Sequence, residues 1–405
     1  MPGPSTGKTV AVRSDKAMVW NGNTFLKGLT DIAFNLTVDV DELSELGRYE
    51  RAGFSKQIPN ADVRITGRLI NANTLKWITG QSSFNQTEVT QLFGNINVTA
   101  NILDPDRARN LVIIGRELAV TSVEFTFAAD GVATIGVSAI GDNRTVYKQS
   151  GLAYKAGLPA GASSPTTYSF PTNARDVLLV KDNNGVVYKE GTGAGTYSLT
   201  GSRGAYTQIS IRWQGTPTSF DIFYVAATGT NADLLPVDPP AYSATEARDV
   251  RGFYVPVAIG LNTGTPPNPT TSYMGRLQSV TIRTNVRRDA VEELGTNKRL
   301  YVPPAQPDTV VEVASTVWDS ELEEILQNTT TSTYFDAHTY TEPSFQVDVV
   351  AVVKNPYASG APVFLRLHVP DVFLTAQPTT ATLGRDITRN WTLRSRSGRI
   401  YVSES

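Results

Sequence analysis

Few residues in this sequence have a type and spacing that could perform chemistry. The 405 residues include no cysteine and only two histidines, His338 and His368. Without cysteine the chain has no thiol nucleophile, disulfide, iron–sulfur cluster or cysteine-bound zinc. Histidine is the usual general base and a common metal ligand, but no Gly-x-Ser-x-Gly motif accompanies either one. We therefore expect both histidines to be structural.

An acidic cluster is the strongest candidate for a metal site or a catalytic carboxylate pair. It comprises Asp39, Asp41, Glu42 and Glu45. Carboxylates at such spacing can hold a divalent cation or act as acid and base. The simpler interpretation is that Asp41 caps one short helical turn that ends at Gly47. We favour the cap and predict no metal.

Two glycine-containing segments resemble ligand-binding loops but depart from the motifs. Residues 3–9 (Gly-Pro-Ser-Thr-Gly-Lys-Thr) have one residue too few between the glycines for a phosphate-binding loop, and a β-like run follows them. In Asp182-Asn-Asn-Gly185 the glycine comes too early for an EF-hand calcium loop, so we predict a hairpin turn. The sequence therefore predicts a protein that is not an enzyme and has no cofactor.

The charge balance and the length of the apolar runs argue against two further classes of protein. Lys and Arg total 36 and Asp and Glu total 38, which gives a formal net charge of −2. This balance lacks the basic excess of a sequence-independent nucleic-acid binder. The first nine residues have no apolar core, and apolar runs such as residues 110–115 are strand-sized. We expect a soluble protein with no membrane segment.

Short runs of alternating apolar residues, separated by Gly, Pro, Thr, Ser and Asn, predict an all-β chain. The predicted strands are Ile32–Val40, Val63–Leu69, Gly94–Leu103, Arg116–Ala128, Ala133–Ile140, Leu277–Val286, Val310–Val317, Phe345–Val353, Phe364–Leu374 and Ile387–Leu393.

The sequence repeats itself at long period. Glu45-Leu-Gly47 recurs 248 positions later as Glu293-Leu-Gly295, and apolar positions stay in phase around it. The matched positions are Ile32 with Val280, Phe34 with Ile282, Val38 with Val286, Pro59 with Pro307, Val63 with Val311 and Ile65 with Val313. With a three-residue insertion, Ile96 and Val98 match Val347 and Val349. This in-phase recurrence predicts two copies of one domain.

Each copy has the same predicted order of elements. A strand ends at Asp41 or Asp289, a short turn and a polar loop follow, and a second strand begins after Pro59 or Pro307. A main helix then starts near Asn71 or Asp319, and Gly80 ends the first of these helices.

The predicted fold class is all-β dominated with little α-helix: a duplicated β-sandwich or barrel, each copy with one packed helix, plus an inserted small β-sandwich-like module. The predicted domains are residues 1–150 (copy one), 151–248 (linker and inserted module) and 249–405 (copy two). Within the middle region, the Gly-, Ala- and Pro-rich Tyr154–Thr172 predicts a linker, and Asp176–Thr228 predicts strands.

The order strand, Asp-x-x-x-Glu-Leu-Gly, polar loop, Pro, strand, helix resembles the tail tube proteins of long-tailed bacteriophages. The matching segments are Ile32–Gly47 with Pro59 and Val63–Gly80, and then Val280–Gly295 with Pro307 and Val310–Asn328. The resemblance covers the outer two thirds of the chain and is a pattern of residue types.

The resemblance implies a structural virion protein. Tail tube subunits form hexameric rings whose inner strands join edge to edge, and the rings stack into a hollow tube through which DNA leaves the capsid. A chain with two copies would form a homotrimer with pseudo-sixfold symmetry, with its middle module on the outside. The implied partners are other copies of the chain, the tape measure, tail terminator and baseplate proteins, and DNA in non-specific transit. The implied location is the phage tail, assembled in the host cytoplasm.

Two sets of residues follow as candidates for this role. If Ile32–Val40 and Leu277–Val286 line the channel, then Phe34, Leu36 and Val38 face the subunit's own core. The candidate lumen-lining residues are Asn35, Thr37, Asp39, Thr281, Arg283 and Asn285. The candidate inter-ring residues lie in the polar loops: Arg48, Glu50, Arg51, Lys56, Lys298 and Arg299.

Two alternatives remain open at this point. One is another non-enzymatic virion β protein, from a baseplate or a capsid decoration. The other is a carbohydrate-binding or hydrolytic β-sandwich, which the Trp and Tyr content suits. A ring or filament, a discrete oligomer, and oligosaccharide binding would distinguish the three.

Overall fold

The computed structural model describes most of the chain. The described residues are 17–21, 24–38, 40–43, 53–56, 58–104, 109–161, 164–227, 231–236, 240–262, 277–292, 299–301, 306–315, 346–376, 379–380 and 388–404. The chain divides into two compact units, the first comprising Met1–Leu26, Asn97–Gly115 and Arg144–Ala241, and the second Lys27–Ile96, Arg116–Asn143 and Tyr242–Ser405.

Strands dominate both units, which confirms the predicted all-β dominated fold class. The first half contains β1 (Ala17–Asn21), β2 (Thr24–Phe25), β3 (Leu29–Thr37), β4 (Val40–Leu43), β5 (Gly53–Lys56), β6 (Asn60–Arg68), α1 (Asn73–Thr79), β7 (Thr87–Glu88), β8 (Asn95–Asp104), β9 (Arg109–Ala128), β10 (Thr134–Gly141), β11 (Arg144–Lys148), β12 (Ser150–Pro159), β13 (Thr166–Asp182) and β14 (Lys189–Glu190). The second half contains β15 (Thr196–Ser202), β16 (Ala205–Arg212), β17 (Ser219–Ala227), β18 (Val257–Asn262), β19 (Leu277–Asn285), β20 (Ala290–Glu292), β21 (Arg299–Tyr301), β22 (Asp308–Ser315), β23 (Gln346–Lys354), β24 (Val363–Val369), β25 (Val372–Ala376), β26 (Thr379–Thr380), β27 (Thr388–Ser395) and β28 (Tyr401–Ser403).

The first unit contains the middle module, a sheet in the order β12-β17-β13-β16-β15-β14. Strand β17 is buried on both faces. Tyr224 on one face packs in a core with Phe170 and Trp213. Phe223 on the other face packs in a second core with Trp20 and residues of β9 and β12. A strand covered on both sides reads as a continuous apolar run, which explains the sequence of β17.

The predicted linker Tyr154–Thr172 is wrong, because most of this segment lies in β12 and β13. Its Gly, Ala and Pro content suggested a flexible chain, but Phe170 is buried in the module core and β12 pairs with β17 along its length. The predicted hairpin turn at Asp182–Gly185 is confirmed. The Asp182 amide donates to the Val186 carbonyl at 3.0 Å, and Gly185 has φ +88°, a conformation that suits glycine.

The second unit contains two four-stranded antiparallel arrangements with the same order. In the first, β3 pairs β6, β6 pairs β10, and β10 pairs residues 119–126 of β9. In the second, β19 pairs β22, β22 pairs β27, and β27 pairs β25 and β26. Alternating burial along β10 and β22 places one face of each arrangement in a core and leaves the other partly exposed.

The two arrangements also share their registers. Ile32 lies opposite Ile65, and Val280, 248 positions after Ile32, lies opposite Val313, 248 positions after Ile65. The first strand of each arrangement, β3 or β19, has an irregularity at the same place, after Leu29 and after Leu277. Register is fixed by which face is buried, so equal registers indicate equal patterns of core contact.

Equivalence extends to the rest of each copy. The order β1-β8-β9-β11 has its counterpart in β18-β23-β24-β28. Glu117 in β9 has φ +52°, and Asp371, 254 positions later, has φ +53°. A positive φ is uncommon outside glycine, so its recurrence at equivalent positions marks the same bend in both copies. The boundaries at residues 150 and 249 remain predictions.

The predicted helix of the first copy is found as α1. The Asn71 side chain, two positions before the helix begins, accepts from the Asn73 amide at 2.9 Å, while Ala72 holds the N-cap position. Gly80 ends the helix at φ +69°. Leu75 and Ile78 of this helix are buried. The helix predicted from Asp319 lies outside the described residues.

The short helical turn predicted after Asp41 is wrong. Asp41 lies in β4, which pairs with β5 as an antiparallel ribbon, and β20 pairs with β21 at the equivalent place in the second copy. Ladder hydrogen bonds satisfy the backbone groups that a capped turn would have satisfied. The segments predicted as polar loops therefore contain strands.

Candidate assembly interface

The two four-stranded arrangements meet at a joint between β9 and β19. These strands pair antiparallel from Ser279 opposite Ala128 to Asn285 opposite Ser122. One bond continues the joint beyond the strand end, because the Val286 amide donates to the Thr121 carbonyl at 2.7 Å. In the sheet, β9 is the last strand of the first arrangement and β19 is the first strand of the second, and these two strands are hydrogen-bonded to each other.

The core side of the joint is apolar and closed. Ile282 and Phe125, which lie opposite each other, are both fully buried. The neighbouring Val280 and Phe127 are also buried. Paired apolar side chains on one face stabilise an antiparallel joint in addition to the ladder itself.

The other side of the joint is polar. Arg283 lies opposite Glu124, and its Nε donates to the Glu124 carboxylate at 2.6 Å. Farther along the same face Arg394 Nε donates to Asp308 at 2.7 Å. All four side chains are partly exposed, so these pairs balance charge at the surface and contribute little stability.

Strand β3 is the counterpart of β19, but its outer edge has no strand partner among the described residues, where it pairs only with β6. The consequence is visible in burial. Leu36 is 45% exposed, whereas its counterpart Thr284 is 0% exposed. Val38 is 39% exposed, whereas Val286 is 2% exposed. The strand that covers β19 thus has no described equivalent over β3.

Strands β25 and β26 are the counterparts of the part of β9 that forms the joint. Their pairing with β27 repeats the pairing of β9 with β10, including a bulge that skips Thr375 in one copy and Thr121 in the other. Thr375 follows Thr121 by 254 positions. Within the described chain β25 and β26 pair only with β27, so their outer edge is also open.

The sequence analysis placed Leu36 and Val38 toward the subunit's own core. They lie on the core-facing side of β3, because Phe34 and Leu36 oppose Val63 and Ala61, which are buried. Their exposure was not foreseen, because burial at a sheet edge depends on the next strand and not on side-chain direction alone.

The described lumen candidates share the polar face of these sheets. Asn35, Thr37, Arg283 and Asn285 are exposed and Thr281 is half-buried, while Asp39 lies outside the described residues. Two of these candidates interact with an acidic side chain. The Asn35 side-chain amide donates to Asp62 at 2.8 Å, and Arg283 forms an ion pair with Glu124. Their position in a channel stays a prediction.

The inter-ring candidates are only partly within the described chain. Arg48, Glu50, Arg51 and Lys298 lie outside it. Lys56 is in β5 and Arg299 is in β21, so both belong to ribbons and not to loops.

His368 is one of the residues considered for chemistry that the structure describes, and its partner is a buried acid. His368 Nε2 lies 2.8 Å from the Asp348 carboxylate, and both are buried. The other Asp348 oxygen accepts from the Asp371 amide at 3.0 Å, at the bend after β24. This arrangement suits the structural role predicted for His368, while His338 lies outside the described residues.

Metal-binding clusters and membrane-spanning helices are both absent from the described residues. No group of three or more potential metal-binding His, Asp or Glu side chains occurs among them. No helix in the described part of the chain has the length and apolar character needed to cross a membrane.

Comparisons with known proteins give little further information. No family model matches this sequence, and no curated protein matches it. Among solved structures, the cryo-EM structure of the anti-feeding prophage cap (AFP tube terminating cap) aligns with 44% of this chain and 100% of that chain, at 16% identity and a TM-score of 0.22. A TM-score this low carries no argument, so function must be argued from the chain itself.

Proposed function

We propose that this chain is a structural bacteriophage tail protein that assembles with copies of itself into rings, which stack into a hollow tube. One observation carries the proposal: Leu36 and Val38 are exposed at an open strand edge, while their counterparts in the second copy are buried at a formed joint. An open edge with apolar side chains is a template for pairing with another chain.

The stoichiometry follows from the duplication. Each chain supplies two similar units, so three chains supply the six units of a ring with pseudo-sixfold symmetry. A closed ring leaves no free edge, because each last strand covers the first strand of the next unit. The tail tube resemblance of Ile32–Gly80 and Val280–Asn328 supports this closed form over an open filament.

The polar face of the sheets suits a channel for DNA. Arg283 with Glu124, and Arg394 with Asp308, present both signs of charge side by side on this face. Tight binding to phosphates requires unpaired basic groups that displace counterions. A face with balanced charge lets DNA pass without holding it.

The proposal extends to the surroundings of the tube. The middle module decorates the outside, and the tube contacts the tape measure, tail terminator and baseplate proteins of the same virion. The chain assembles in the host cytoplasm and functions in the phage tail. It carries out no bond-making or bond-breaking step.

Electron microscopy of the purified protein tests the proposal. Negative-stain micrographs should show rings or tubes with a stain-filled centre, and light scattering should give multiples of a three-chain mass. Solid, discrete particles without a lumen would favour a baseplate or decoration protein. A monomer that binds oligosaccharides would favour the carbohydrate-binding alternative.

A further inference from the structure

We infer that strands β25 and β26 of one chain cover the open edge of β3 in a second copy, antiparallel, with Thr37 opposite Ala376 and Phe34 opposite Thr379. This inference rests on the proposed function, and it specifies which strands of neighbouring subunits meet and in which register.

The joint inside the chain is the template for this contact. There β9 pairs with β19, and Ser122 lies opposite Asn285. Thr37 precedes Asn285 by 248 positions, and Ala376 follows Ser122 by 254. Replacing each member of the internal pair by its counterpart places Thr37 opposite Ala376.

Other pairs in the joint give the same register. Ile282 lies opposite Phe125 and Thr281 opposite Thr126. Their counterparts place Phe34 opposite Thr379 and Ala33 opposite Thr380. The bond from the Val286 amide to the Thr121 carbonyl becomes a bond from the Val38 amide to the Thr375 carbonyl.

This register depends on equal local geometry on both sides of the contact, and the structure provides it. Strands β3 and β19 have the same register and the same irregularity in their pairing with β6 and β22. Strands β9 and β25 share a bulge at Thr121 and Thr375. A one-residue slip would turn Leu36 and Val38 from the core side to the polar side, so the alternation of β3 opposes it.

Both surfaces of the inferred contact are accessible in the single chain. Thr37 is exposed on β3, and Thr375 and Ala376 are exposed on β25. Thr121 and Ser122, the counterparts of Thr375 and Ala376, are half-buried in the internal joint. A second copy seated in this register would therefore cover Thr375 and Ala376 as the internal joint covers Thr121 and Ser122.

The intermolecular contact differs from the internal joint in charge. Asn35 replaces Arg283, so this strand has no counterpart of the Arg283–Glu124 ion pair. Recognition between subunits then depends on the ladder and on burial of Leu36 and Val38.

Disulfide cross-linking tests the register, and the absence of native cysteine makes the result unambiguous. The test variant carries Thr37→Cys and Ala376→Cys. Directly opposed residues lie within the Cα separation that a disulfide requires, about 4.4–6.8 Å. The register control carries Asn35→Cys and Ala376→Cys, a diagonal pair about 7–8 Å apart in the inferred register. The positive control, Ser122→Cys with Asn285→Cys, links a pair within one chain.

Assembled protein is oxidised with copper phenanthroline and run on a non-reducing denaturing gel. The test variant should give bands of two and three chains, and the register control should give much weaker ones. The positive control should lose its free thiols and keep the single-chain mass.

Two outcomes overturn the inference and are distinguishable from each other. If rings or tubes form but the test variant does not cross-link, or the register control cross-links better, the register is wrong and the proposed function stands. If concentrated protein stays a single chain in micrographs and on the gel, both fail.

Discussion

At the scale of single residues, the same position in two copies has two different environments. Thr284 and Val286 are buried where β19 pairs with β9, while Leu36 and Val38 are partly exposed at the edge of β3. Burying apolar side chains of this size contributes on the order of 1.5–3 kcal/mol each. Leu36 is 45% exposed and Val38 is 39% exposed, so the proposed contact would gain less than half of that value at each residue.

Replacing Leu36 by lysine should prevent assembly without unfolding the chain. Lysine at an exposed site changes the free energy of unfolding by about 0.5 kcal/mol or less. In the assembled joint the same charge would be buried without a partner, which costs several kcal/mol. Light scattering should show single chains for Leu36→Lys, and Val187→Lys, at an exposed valine of the middle module, should assemble like the wild type. Tubes of normal abundance from Leu36→Lys would contradict this account.

A buried polar cluster in the middle module gives a second residue-scale prediction. Asp233 accepts from Tyr168 at 2.6 Å and from Tyr224 at 3.1 Å, and its carboxylate pairs with Lys155 at 3.1 Å. Burial, aided by the nearby Asp233 charge, raises the pKa of Tyr224 to about 12. Folding therefore favours the protonated phenol of Tyr224.

The stabilisation from Tyr224 is present in full below pH 10 and is lost as the pH rises through about 12. Tyr224→Phe should cost about 1 kcal/mol at pH 7, the value of a typical hydrogen bond. Between pH 9 and 12 its free energy of unfolding should fall less steeply than that of the wild type. Urea titrations at both ends of this range measure the difference, and equal slopes would show that Tyr224 does not contribute.

At the scale of elements, the ribbons β4/β5 and β20/β21 occupy equivalent places in the two copies. One ribbon lies between β3 and β6 in the chain, and the other lies between β19 and β22. The candidate inter-ring residues Lys56 and Arg299 lie on these ribbons and not on the strands that form the joint. We expect the ribbons to contact the next ring.

Deleting residues 49–56 removes β5 and should separate ring formation from stacking. The edges of β3, β25 and β26 remain, so rings should still form, while long tubes should be lost. Negative-stain micrographs distinguish the two, and an equal-length deletion within the middle module serves as the control. Tubes of unchanged length after the 49–56 deletion would show that the ribbon has no role in stacking.

Elements with a strong local pattern were predictable from the sequence. Strand β10 alternates strictly, and α1 has its asparagine before the first turn and Gly80 after the last. Two errors came from segments whose local signals were ambiguous. Asp41 is compatible with a helix cap and with a position in a paired strand. The glycines and prolines of Tyr154–Thr172 are compatible with a linker and with strands of a sheet. Pairing with distant strands decided both cases.

At the scale of the whole molecule, the duplication was visible in sequence but the joint was not. The 248-residue offset was predictable because apolar residues recur at that spacing along the sequence. That β9 pairs with β19 depends on a contact between residues more than 150 positions apart, such as Glu124 and Arg283. The exposure of Leu36 and Val38 has the same long-range origin, so the candidate interface required the structure.

Two copies in one chain also explain why one joint is built in and another is left open. The internal joint forms at the high effective concentration of a single polypeptide, so it needs no partner. The open edge of β3 corresponds to the β19 side of this joint, and the open edge of β25 and β26 corresponds to the β9 side. These two edges lie at opposite ends of the strand order β3-β6-β10-β9-β19-β22-β27-β25. In the proposed function, further copies of the chain complete this pairing.

Cryo-electron microscopy of the assembled protein, viewed along the axis, tests the central claim most directly. The account predicts a hollow ring of six similar β units from three chains, with every β3 edge covered by β25 and β26 of a neighbour. A compact particle without a lumen, or rings in which the β3 edge stays exposed to solvent, would contradict it.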